Sequence, residues 1–229
     1  MAKGRQAPDL SYIRRWLKRG LSKDQKVLDL SHRDIGNEIC FDLAENLTIE
    51  GIEVLFLHNN RIKGAGLEEL LNAPFFEGLR ELWLYDNLIG DDGIAALANA
   101  SSMRRLKYLS LYTNRVVDEG AVALAESENL NRLETLDLSF NRIGDRGAAA
   151  LAHSPNLPQL KTLHLDSNRI GAAGMEAFAR RTGLERLETL HLLYNKLEPN
   201  GLLALRESQS LAKLQAFKCD LYPPIPEGE

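Results

Sequence analysis

Cysteine is nearly absent from this sequence. Cys40 and Cys219 are the only two, which excludes a disulfide-stapled secreted scaffold. Long apolar runs are missing as well. No stretch approaches the ~18 residues of a membrane span, and the opening MAKGRQAPDLSYIRRW lacks the apolar core of a secretion signal. We therefore expect a cytoplasmic chain that does not meet a membrane. Positive charge is not in surplus: 28 Lys and Arg face 32 Asp and Glu, for a net charge of −4. No global basic field advertises nucleic acid. The sequence also has no P-loop, GxSxG, HExxH or paired CxxC, so no cofactor, metal or catalytic residue is expected and the chain is not read as an enzyme.

What is present is a repeat. Leu28, Leu55, Leu82, Leu109, Leu136, Leu163, Leu190 and Phe217 recur every 27 residues with no insertion, and a fixed period of 20–50 residues marks a solenoid. The unit is clearest in LETLDLSFNRIGDRG, Leu133 to Gly147. Leu136 and Leu138 have period 2, as in a strand with one buried face. Asn60, Asn87, Asn114, Asn141, Asn168 and Asn195 follow at one offset. Their amides can bond the turn backbone of their own and neighbouring layers; the first unit has Arg33 there instead.

Gly66, Gly93, Gly120, Gly147, Gly174 and Gly201 form a second row. Asp91, Asp118 and Asp145 precede it by two residues, where a helix N-cap belongs. Alanine-rich helices follow, with Leu70, Leu97, Leu124, Leu151, Phe178 and Leu205 on their inner face. Cys40 and Cys219 fall in inward rows at opposite ends of such a stack, too far apart to be bridged.

Three segments are expected. Residues 1–24 form a loose tail and a capping helix over Leu10–Arg19, started by Asp9 and stopped by Gly20, because the first repeat of a solenoid otherwise ends in bare apolar surface. Residues 25–221 hold seven full repeats and a terminal strand. Residues 222–229 are a proline-rich tail that shields the last sheet edge.

The pattern LxxLxLxxNxIGxxG followed by a helix resembles the leucine-rich repeat family over residues 25–221. The long period and alanine-rich helix resemble its ribonuclease-inhibitor-like subfamily. The resemblance implies an α/β right-handed solenoid, a horseshoe with a parallel sheet on the concave face and helices on the convex face. Spacing requires the same curvature, since strands stack at about 4.8 Å and helices at about 8–10 Å.

Between the inward leucines, three columns of side chains face the concave side. Phe56, His58, Trp83, Tyr85, Tyr108 and Tyr112 cluster on three consecutive strands. Folding does not require aromatics on an open face, and Tyr and Trp dominate protein interfaces. Further along the face turns polar, with Asp137, His164, Asp166 and His191, a composition that suits an interface rim. The two histidines occupy one column of adjacent strands. With a carboxylate beside them they could hold zinc or exchange protons, but an open surface lacks the enclosed pocket such chemistry needs. Arg61, Arg115, Arg142, Arg169 and Lys196 line one loop edge; we expect the nearby aspartates to neutralise them.

We thus expect a monomeric, non-catalytic module that binds a protein partner on its concave face, of scaffold, inhibitor or effector type. Two cysteines and a short chain set it apart from the cysteine-rich, longer ribonuclease inhibitors. The resemblance also implies an alternative, regulation of a small GTPase as by the Ran GTPase-activating proteins that share this repeat class. A metal-binding or hydrolytic site at His164/His191 is the remote alternative.

Overall fold

The computed structural model describes residues 11–196, 201, 203–205, 208–209 and 214–219. The predicted start of the capping helix at Asp9 and Leu10, the row positions Leu202, Leu211 and Asp220, and the proline-rich tail lie outside the described residues.

The described chain alternates strand and helix. In order come α1 (Ser11–Gly20), β1 (Val27–Asp29), α2 (Asn37–Asn46), β2 (Val54–Phe56), α3 (Gly64–Leu71), β3 (Glu81–Trp83), α4 (Gly90–Asn99), β4 (Tyr108–Ser110), α5 (Asp118–Glu126), β5 (Thr135–Asp137), α6 (Asp145–Ala152), β6 (Thr162–His164), α7 (Ala172–Ala179), β7 (Thr189–Leu192) and β8 (Ala216–Cys219). The strands form one parallel sheet in sequence order. Every pairing has an offset of 27, from Leu28↔Leu55 through Leu136↔Leu163 to Leu190↔Phe217. Each of α2 to α6 packs on the helix that follows it. The chain is an α/β horseshoe with its sheet on the concave face.

The core lies between sheet and helices. Leu28 to Leu190 of the strand row and Leu70, Leu97, Leu124, Leu151 and Phe178 of the helix row are all fully buried. At the far end the pattern weakens: Phe217 takes the register of those leucines yet is 37% exposed. The two cysteines are not bonded to each other. Cys40 is buried and burial pushes its thiol up to about 12, whereas Cys219 is only half-buried.

The asparagine row works as its spacing predicts. Asn141 donates from Nδ2 to the carbonyls of Leu111, Leu138 and Ser139 at 3.0, 2.9 and 3.2 Å. Its Oδ1 accepts from Asn114 N–H and Val116 N–H at 3.0 and 2.9 Å. One amide thus joins two layers and serves the Asn114 and Val116 N–H groups, which the strand ladder does not reach. Arg33, at the head of the row, instead lies over the Trp16 ring of α1 at 5.9 Å. Tyr12 of α1 donates to Asp42 Oδ2 at 2.6 Å. Gly20 is the last residue of α1, and glycine is needed there because a Cβ would stand 2.1 Å from the Asp29 carbonyl oxygen.

The aspartates behave differently from expectation. Each caps the helix of the next repeat and not its own. Asp91 Oδ1 accepts from Val117 and Gly120 N–H, Asp118 Oδ1 from Gly144 and Gly147 N–H at 2.7 and 3.0 Å, and Asp145 Oδ1 from Gly171 and Gly174 N–H at 2.6 and 3.0 Å. The glycine row permits this. A Cβ on Gly147 would lie 2.8 Å from Asp118 Oδ1, occupying the space in which the carboxylate meets the helix N-terminus.

Candidate functional site

The concave columns present their side chains from β-strands only three or four residues long, fixed in register by the 27-residue pairings. Of the aromatic residues read from the sequence, five form one network. Phe56 and Trp83 have ring centroids 5.6 Å apart, Trp83 and Tyr108 stack at 4.2 Å, and His58 stacks on Tyr85 at 4.2 Å. Edge contacts of Phe56–His58 at 5.8 Å and Trp83–Tyr85 at 6.4 Å join the two stacks. All five are half-buried, because they cover one another. Trp83 Nε1 donates to Glu81 Oε2 at 3.3 Å. Burial, and then the charge of Asp137, pushes the Tyr108 phenol up to about 12. Burial and the neighbouring His32 lower the pKa of His58, so its imidazole is favoured neutral.

Tyr112 does not join this network. Its ring packs 4.8 Å from Phe140, a residue the sequence columns omitted. Phe140 is 51% exposed and left-handed, with φ 55°. It belongs to a fourth column, just after the third, in which His32, Asn59, Asp86, Thr113, Phe140, Ser167 and Tyr194 all have φ between 52° and 57°. Small polar side chains tolerate that conformation best. An aromatic there is the available signal: Phe140 and Tyr194 stand out in an otherwise mostly short polar column.

The polar end comes together as its register requires. His164 Nδ1 lies 2.9 Å from His191 Nδ1, and their rings are edge-on at 4.4 Å between centroids. Asp166 Oδ2 is 3.7 Å from His191 Nδ1, while its Oδ1 accepts from Leu193 N–H at 2.7 Å. Asp137, on the strand beside His164, accepts from Ser139 N–H at 2.9 Å. Burial and then the adjacent His164 lower the pKa of His191. His164, His191 and Asp166 could hold a metal ion, since their ligand atoms lie within 4.8 Å of one another.

The basic row is not neutralised by Asp91, Asp118 and Asp145, whose carboxylates are committed to helix caps. Arg61 pairs with Asp34 at 2.8 Å. Arg115, Arg142, Arg169 and Lys196 are exposed, with no carboxylate in ion-pair reach among the described residues. The paired charges lie instead in a column before the strands. Glu53 takes Lys26 at 2.7 Å and Arg80 at 3.4 Å, and Glu134 takes Lys107 at 2.6 Å and Lys161 at 2.7 Å. A cleft of about 620 Å³ lined by Glu50, Leu71, Pro74, Ser101, Arg104 and Arg105 holds none of the concave residues. No helix of the described residues is long and apolar enough to cross a membrane.

A family model described as "Leucine Rich repeat" matches residues 130–152 and 156–179. Among solved structures, an internalin from Listeria monocytogenes is similar at 26% identity and a TM-score of 0.51, over 79% of this chain and 49% of that one. The chain thus spans about half the length of the internalin. A TDR receptor matches at 19% identity and a TM-score of 0.46, over 85% of this chain and 30% of the receptor. The leucine-rich repeat ectodomain of the Arabidopsis receptor kinase HAESA, solved with a peptide hormone ligand, matches at 20% identity and a TM-score of 0.43, over 74% and 26% of the two chains. No curated protein matches the sequence.

Proposed function

We propose that this chain, a leucine-rich repeat protein, is a non-catalytic module that binds a protein partner on its concave sheet. One observation carries the reading: five stacked rings of Phe56, His58, Trp83, Tyr85 and Tyr108 cover three adjacent strands on a face where folding needs no aromatics. Tyr112 and Phe140 extend this apolar surface along the horseshoe, and Asp137, His164, Asp166 and His191 supply the polar margin. Rings held by mutual stacking lose little side-chain entropy when a partner lands on them. The sheet itself is braced by the asparagine row, so the surface is preformed. The paired charges before the strands and the exposed cations Arg115, Arg142, Arg169 and Lys196, without a carboxylate in reach among the described residues, leave the two loop edges electrostatically unlike. A partner with an acidic flank on the Arg115–Lys196 side would be oriented by them. Binding as a monomer, in a reducing cytoplasmic compartment, completes the reading, along with membership of the ribonuclease-inhibitor-like subfamily that the 27-residue period suggests.

The test is quantitative capture from extract with immobilised wild-type chain, Trp83→Ala/Tyr85→Ala, and Arg146→Ala on the helical face. Captured proteins lost with the concave variant and kept with the convex one support the site. Equal recovery by all three forms refutes it. Regulation of a small GTPase has no observation of its own in its favour. It would be supported instead if the chain accelerated GTP hydrolysis by a small GTPase and the concave variant did not.

A further inference from the structure

We propose that His164, His191 and Asp166 form a binding site for a zinc-type divalent cation on the polar half of the concave sheet. The three residues come from two adjacent strands and the turn after the first, so the register that builds the repeat also builds the site. Two imidazoles and one carboxylate are the ligand types borderline-soft cations take, and three protein ligands leave a fourth position open. All three side chains are half-buried, so their approach to an ion is guided by packing.

The geometry is close to what the ion requires. With metal–ligand distances of about 2.0–2.1 Å, tetrahedral coordination sets neighbouring ligand atoms roughly 3.3 Å apart. Here the two Nδ1 atoms are 2.9 Å apart, and His191 Nδ1 is 3.7 Å from Asp166 Oδ2. Both separations lie within about 0.4 Å of that value, and a turn of the His191 ring away from His164 and toward Asp166 lengthens the first while shortening the second. The carboxylate is already oriented, because its other oxygen accepts the Leu193 N–H; such outer bonds commonly position metal ligands. Two facing Nδ1 atoms at this separation share at most one proton, and a cation between them would satisfy both lone pairs. Asp137 on the β5 side adds negative charge. Lys218, paired with His191 in register on β8, is exposed and opposes it. Among the described residues no other group of three or more such side chains meets the same distance condition.

The experiment titrates zinc chloride into the full chain by calorimetry and then withdraws zinc with a chromophoric chelator. We expect one equivalent bound by wild type and by His153→Ala, a histidine on the helical side. His164→Ala and His191→Ala should each weaken binding at least tenfold, and the double variant should show none. Circular dichroism and urea midpoints without metal must match wild type for each variant. Should a variant fail to fold, imidazole NMR of the wild type decides alone: zinc should shift His164 and His191 and leave His32 and His153 in place. No saturable binding up to millimolar zinc, undiminished binding by a folded double variant, or shifts confined to the other histidines would overturn the site. None of these readouts depends on the partner capture above.

Discussion

Replacing Asn141 by alanine tests whether the repeats are held by their asparagines or merely decorated with them. The side chain belongs to a residue only 7% exposed. Its loss strands two buried N–H groups, of Asn114 and Val116, and removes a donor from the carbonyls of Leu111, Leu138 and Ser139. Each buried polar group left unmade costs about 1–3 kcal/mol. The costs are not additive, and water entering the vacated space recovers part of them. An overall loss of about 3–5 kcal/mol is therefore expected, a large share of the roughly 5–15 kcal/mol that holds a domain folded. Urea unfolding followed by circular dichroism measures it, with Asn131→Ala as a control. Asn131 is exposed, and its substitution should stay within about 0.5 kcal/mol. Because a stacked array is stabilised by neighbours, the damage should also appear locally, as faster hydrogen exchange at the Asn114 and Val116 amides. A loss below about 1 kcal/mol with those amides still protected would refute the account.

Two further outcomes follow from the ladders. Asp118→Ala should destabilise by about 1–2 kcal/mol, as for loss of an N-cap, and should speed exchange at Gly144 and Gly147 of the next repeat while leaving the start of α5 unaffected; the reverse pattern would restore the own-helix cap. Lys107 and Lys161 hold the pKa of Glu134 down, from 4.5 to about 2. A depressed carboxylate contributes stability above its unfolded value that is lost as pH falls toward the folded one. Solvent screening at this surface position limits the contribution to about 1 kcal/mol. The urea midpoints of wild type and Glu134→Gln should therefore differ at pH 7 and converge between pH 4.5 and about 2, and a difference independent of pH would rule the pairing out.

Much of the fold was legible because the repeat carries no insertion. Leucines, asparagines and glycines each sit at one offset, and a solenoid places equal offsets side by side. The aspartates show where such reading fails. Asp118 opens α5 and precedes Gly120 by two residues, as a cap of its own helix would. Its partners are 26 and 29 residues away, and only the close layer spacing reveals them. Once those carboxylates are spoken for, the cations of Arg115, Arg142 and Arg169 lose their presumed partners. On the concave face the columns gave the right neighbours, but spacing does not say how rings turn. Tyr112 leaves the main network because Phe140, in a left-handed turn, reaches it from the next repeat. His164 and His191 were placed by column alone, whereas the approach of their Nδ1 atoms depends on side-chain rotation.

The capping aspartates also give the stack a direction. Asn37 lends its side-chain oxygen to Lys63 N–H of the following unit. Gly64, next in that column, has nothing to lend; Asp91, Asp118 and Asp145 then each serve the unit behind them, and Ala172 ends the series. The starts of α5, α6 and α7 are therefore completed by side chains synthesised before them, whereas α4, whose column offers only Gly64, has its first N–H bonded by the Asn114 carbonyl of the following unit. On the ribosome, the carboxylate that α6 or α7 needs has already emerged when the helix does. Removing a unit from the front takes a helix cap from its neighbour, whereas removing one from the back takes the asparagine that closes its neighbour's turn.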